Sequence, residues 1–140
     1  MGYCVQSDET SFFIPQEYHG LALQAVKDFM LKTYTADYGV QTIRSFSWVS
    51  TEEVVQSENI FDALYAWRWE AGSESGDDSD IIDIYFRGEK LGHDDLLFQV
   101  LAPYVKEGSY IVMRGEDGHT WRWYFDGQTC REQVAKITWE

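Results

Sequence analysis

The chain has 140 residues, 44% of them hydrophobic and 16% aromatic, and its 24 Asp and Glu against 11 Lys and Arg give a formal net charge of −13. That composition excludes a disordered acidic polymer and suits one domain over residues 1–140, because so many aromatics can bury a core. The charge disfavours direct nucleic-acid or anionic-membrane binding and suits either a basic, nucleic-acid-binding protein partner or solubility alone.

No apolar run approaches the roughly eighteen residues of a membrane span, and no basic segment followed by an apolar one opens the chain. A cytoplasmic protein is therefore expected. Gly2 invites myristoylation, but Gln6 stands where that motif needs Ser or Thr. Cys4 and Cys130 lie far apart without metal-ligand spacing, so buried free thiols are expected rather than a disulfide joining the first and last strands.

In chain order, residues 2–6 read as a short strand and Ser7-Asp8-Glu9-Thr10 as polar punctuation. From Pro15, the residues Tyr18, Leu21, Ala22, Ala25, Val26, Phe29 and Met30 recur at steps of three and four, which predicts an amphipathic helix over 15–33. Phe46 and Trp48 alternate with Ser45 and Ser47 as a short strand. Ser50 with Glu53 makes a capping box that opens one short helix, and Asn59 with Ile60, Phe61 and Leu64 makes a second that ends near Ala66. Trp67 to Ala71 then reads as a strand.

Residues 72–80 are rich in turn formers and acids and predict a mobile acidic hairpin loop. In the next strand Ile82, Ile84 and Phe86 alternate with Asp83, Tyr85 and Arg87. Asp94-Asp95 opens a helix carrying Leu97, Val100, Leu101 and Tyr104, which Pro103 should end early. Three strands over 109–114, 119–126 and 129–139, with turns at Gly115–Gly118 and Asp126-Gly127, complete a meander. The expected fold is α+β in two layers: a mostly antiparallel sheet of about five to six strands, helices on one face, and a C-terminal three-stranded meander.

Within residues 81–127 the segments GEKLG, LAPYV, GSYI, GEDG and WRWYFDG resemble a set of small acidic bacterial proteins of unknown role, some carried on phages or mobile elements. That resemblance implies a bacterial setting and transfers no activity, cofactor or catalytic residue.

Motifs for chemistry are scarce. His19, His93 and His119 have no metal-type spacing, and there is no GxSxG, HExxH, P-loop or Rossmann glycine pattern. The acids at Asp77, Asp78 and Asp80 lack a calcium-loop frame. Neither a cofactor nor a metal is expected, and catalysis is not the leading reading. A cleft holding a buried histidine or carboxyl pair would favour an enzyme instead.

The tripeptide Trp-Arg-Trp occurs at 67–69 and again at 121–123. In extended chain each would place two indoles on one face and a guanidinium on the other. If the indoles face the helices, Arg68, Asp83, Tyr85, Arg87, Arg122 and Tyr124 share the opposite face, with Arg114 or Arg131 beside them. Arg- and Tyr-rich surfaces are enriched where proteins bind one another and also hold anions; the plainer alternative is a solvent face laced by pairs to Glu70, Asp83 and Glu132.

The leading expectation is thus a non-catalytic protein-interaction module, in its narrower form an inhibitor or nucleic-acid mimic whose acidic surface includes Glu70, Glu74, Asp77, Asp78 and Asp80. The alternative is an anion- or carbohydrate-binding module using the Arg/Tyr face or the Trp pairs. Edge strands and a flat face also allow a homodimer.

Overall fold

The computed structural model of the chain describes residues 3–35, 41–43, 46, 48–76 and 79–139. Gly2, Ser45, Ser47, Asp77 and Asp78, which entered the expectations above, lie outside these residues.

Strands β1 (Val5–Ser11), β6 (Tyr110–Gly115), β7 (Thr120–Phe125) and β8 (Cys130–Val134) form an antiparallel sheet in the order β1-β6-β7-β8. Strands β2 (Thr33–Thr35) and β3 (Gln41–Ile43) make one two-stranded ladder, and β4 (Trp69–Ser73) and β5 (Ile81–Phe86) make another. β5 runs along the open side of β1. Ile14 and Ile81 exchange backbone hydrogen bonds of 3.0 Å, and Val5 N–H donates to the Glu89 carbonyl at 2.8 Å. Between them, Ser7 Oγ accepts from Phe86 N–H at 3.0 Å and Thr10 Oγ1 donates to Asp83 at 2.8 Å.

The helices α1 (His19–Leu31), α2 (Thr51–Val55), α3 (Ile60–Ala66) and α4 (Asp94–Leu101) supply the second layer. Their starts follow local chemistry: Ser50 Oγ accepts from Glu53 N–H and Asn59 Oδ1 accepts from Asp62 N–H, each satisfying an amide that the first helical turn leaves open. Pro103 falls in a single 3-10 turn over Ala102–Tyr104, where α4 gives way. Ala22, Val26 and Met30 of α1, Ile60 and Leu64 of α3, and Leu97 and Leu101 of α4 are buried with Ile111, Met113, Trp121, Trp123 and Phe125 of the sheet. Phe98 is the hinge of this packing, with ring centroids 5.0 Å from Trp69, 4.9 Å from Trp123 and 5.9 Å from Phe125.

Several expectations are corrected. β1 runs over 5–11 rather than 2–6, so the supposed punctuation is strand, its hydroxyls used to hold β5. The helix over 15–33 is a 3-10 turn at Gln16–Tyr18 followed by α1. Phe46 and Trp48 form no strand; Phe46 bridges Val49 across a turn in which Trp48 has φ of 71°. Trp67 closes α3 and Arg68 is left-handed with φ of 72°, so the first Trp-Arg-Trp is a helix-to-strand corner, not an extended segment.

Ile81, not Ile82, turns inward on β5, because the ladder with β4 slips between Gly72 and Ser73 and reverses the alternation there. β8 ends at Val134, five residues before the expected Trp139. Cys130 is buried but Cys4 is only half-buried, and both thiols are free. They flank opposite edges and opposite ends of a four-stranded sheet, so strand spacing alone sets them at least roughly 14 Å apart, beyond the Cα separation of about 7 Å that a disulfide tolerates.

A candidate docking face

The second Trp-Arg-Trp does lie in extended chain. On β7, Trp121, Trp123 and Phe125 are buried while Thr120, Arg122 and Tyr124 face away from the helices. The register sets Arg122 between Val112 and Gln133, and Tyr124 between Tyr110 and Arg131. The result is a line of alternating rings and guanidiniums. Arg122 Cζ lies 5.5 Å from the Tyr110 ring centre and 5.4 Å from that of Tyr124, and Arg131 Cζ lies 5.7 Å from the Tyr124 ring centre. Such cation–π contacts hold a guanidinium flat without consuming its N–H donors.

Among the described residues the Arg122 guanidinium makes one hydrogen bond, from Nε to Gln133 Oε1 at 2.6 Å, and the Arg131 side chain makes no hydrogen bond or ion pair. Both side chains lie on the sheet face turned away from the helices. Beyond Arg122 the sheet borders an open groove of about 560 Å³, lined by Val112, Thr120, Arg122, Gln133, Val134 and Lys136. Toward β1 the face changes sign: Asp8 binds Arg114 at 2.6 Å, and Glu9 accepts from the Tyr110 hydroxyl at 3.2 Å, which raises the Tyr110 pKa.

Of the six residues expected on one face, Arg122 and Tyr124 are brought together. Asp83 and Tyr85 are exposed on β5, with β1 and β6 between them and β7. Arg87 pairs with Glu70 at 3.1 Å and lies over the Tyr65 ring. Arg68 leaves the face altogether. Its Nη2 meets Asp94 Oδ2 at 3.1 Å, and its Nη1 donates to the Lys90 carbonyl. Tyr110 and Gln133 were missed, although continuing the alternation back across the Gly115–Gly118 turn places Tyr110 opposite Tyr124.

The acidic positions are scattered. Glu70 is paired, Glu74 is exposed, and Asp80 accepts from Gln16 N–H at 2.7 Å. Asp94, at the start of α4, is buried, and burial raises its pKa despite hydrogen bonds from Trp69 Nε1, Arg68 and Gly92 N–H. It does share a cleft of about 140 Å³ with Asp95 and Glu132. Those two are exposed, so the cleft holds one buried, fully bonded carboxylate and not a matched acid–base pair.

All four indoles of the repeated tripeptides are core, which removes a sugar-stacking platform there. His19 contacts the Ile14 carbonyl, the His93 ring lies against Phe46, and His119 stacks on Trp121. Among the described residues no group of three or more His, Cys, Asp or Glu is placed to hold a metal, and no helix is long and apolar enough to cross a membrane. Compared with protein-family models, curated proteins and solved structures, the chain has no match.

Proposed function

We propose that this protein is a non-catalytic interaction module that docks the outer face of β6, β7 and β8 onto a protein partner. The observation that carries this reading is Arg122, clamped between Tyr110 and Tyr124 with its Nη donors unbonded among the described residues. A carboxylate on the partner would find both Arg122 and Arg131 presented in advance, at little conformational cost. The partner as a whole is basic, since a net charge of −13 speeds its encounter while the arginines set the register.

The narrower role of inhibitor or nucleic-acid mimic has weaker support, because Glu70, Asp80 and Asp94 are already engaged within the chain. A second reading, a small-anion site, is favoured by the groove itself, whose 560 Å³ falls in the range of ligand pockets and whose walls include Arg122 and Lys136.

The test is affinity capture from bacterial lysate with the natural chain and with R122E/R131E, eluted on a salt gradient. A basic protein held by the natural chain, released by moderate salt and lost by the variant supports docking; equal capture by both removes the face from the reading. Quenching of tryptophan fluorescence by phosphate or a dicarboxylate, absent in R122E/R131E, would instead select the small-anion site.

A further inference from the structure

β8 is the last strand of its sheet, so among the described residues no strand pairs with its other side. Which groups that side presents follows from the ladder. Asp126 N–H donates to the Thr129 carbonyl and Ala135 N–H to the Thr120 carbonyl, so odd-numbered residues of β8 bond inward to β7. The even-numbered residues must turn their N–H and C=O groups outward. At Cys130 that outward carbonyl is already occupied, by Gln99 Nε2 of α4 at 2.6 Å. Among the described residues no partner meets it from Glu132 onward.

Exposed edges are ordinarily short or blunted by charge. This one leads into a segment with three exposed apolar side chains: Val134 at 69%, Ile137 at 79% and Trp139 at 90% relative exposure. Its charges are also self-complementary. In an antiparallel pairing of two copies about a two-fold axis at Val134, each Val134 faces its counterpart, and Glu132 of one copy faces Lys136 of the other, twice. Glu132 and Val134 belong to the outward-bonding set of β8, and continuing the strand by two residues on pairing would bring Lys136 into it, so this register satisfies open amides and carbonyls as well as the charges.

We propose that β8 pairs with β8 of a second copy of this chain in that register, joining two four-stranded sheets into one. An isologous contact of this kind closes on itself and leaves no further edge at β8 to propagate. The pairing uses the strand's edge, whereas the docking proposed above uses its outward face, and neither depends on the other.

Sedimentation equilibrium of the full chain from micromolar to millimolar concentration, with E132K, K136E and the double exchange E132K/K136E, tests the register. The expected result is a mass rising to twice the 16.3 kDa of the chain, loss of association in each single variant, where like charges meet at both ends, and its recovery in the exchange. Both residues are exposed, and unchanged circular dichroism would confirm that the variants fold. A natural chain that stays monomeric throughout, or a dimer indifferent to all three variants, would overturn the proposal.

Discussion

The carboxylate of Asp94 and the guanidinium of Arg68 meet at 3.1 Å where the first turn of α4 touches the corner between α3 and β4. Asp94 is 1% exposed, and it also receives the Trp69 indole N–H at 2.9 Å and the Gly92 amide at 3.0 Å. One side chain thereby joins the helix layer to β4. Asp94→Ala would leave the largely buried Arg68 without its counter-charge and the indole without an acceptor, a loss of about 3 kcal/mol or more by the usual cost of breaking a buried pair. Asp94→Asn keeps an acceptor and should cost less. Urea denaturation of both variants checks this, and a loss below about 1 kcal/mol for Asp94→Ala would place the pair in solvent.

Two aspartates pull the pH dependence of stability in opposite directions. Burial raises the Asp94 pKa above the ordinary 3.8, so its contribution is complete below that value and is lost as pH rises through its folded value. Asp126 is held down to about 2 by the backbone amides of Thr129 and Gln128 and by the Thr129 hydroxyl, so its contribution is present above 3.8 and is lost as pH falls toward 2. Stability profiles of the natural chain and of Asp94→Asn should diverge on the alkaline side of 3.8, and those of Asp126→Asn on the acid side. Coincident profiles on either side would contradict the assigned shift.

The two thiols should react very differently. Burial, with the nearby charges of Asp126, Glu132 and Asp95, pushes Cys130 up to about 12, so almost no thiolate forms near neutral pH. Cys4 is half-buried beside β1. Native protein should therefore release one equivalent from a disulfide reagent at mildly alkaline pH, and a second only after denaturant is added. Prompt reaction of both would mean that β8 is not packed as described.

What could be read from the sequence was whatever short-range chemistry decides. Ser50 and Asn59 announce their helices because a cap needs only the next three residues. The meander was legible because Gly115–Gly118 and Asp126-Gly127 fix its turns, and with them the place of Arg122 and Tyr124. Arg68 was not, because the same tripeptide folds as a corner after α3 and as strand in β7, and only the helix before it makes the difference. The inward turn of Ile81 was equally hidden, since the slip that produces it belongs to the pairing with β4 and not to the residues of β5.

The polar run of β1 supplies the sharpest test of that tertiary dependence. Phe86 is buried, and its amide has the Ser7 hydroxyl, not a backbone carbonyl, as its acceptor across the gap between β5 and β1. Ser7→Ala removes the acceptor without altering the strand's backbone, leaving a part-buried N–H unsatisfied at a cost of about 1–3 kcal/mol. The break should be local as well as global. Amide exchange should accelerate at Phe86 while Ile81, held by the Ile14 carbonyl, keeps its protection. Unchanged exchange at Phe86 would mean that β5 is held against β1 by its two ends and its apolar contacts, with the hydroxyl contributing nothing.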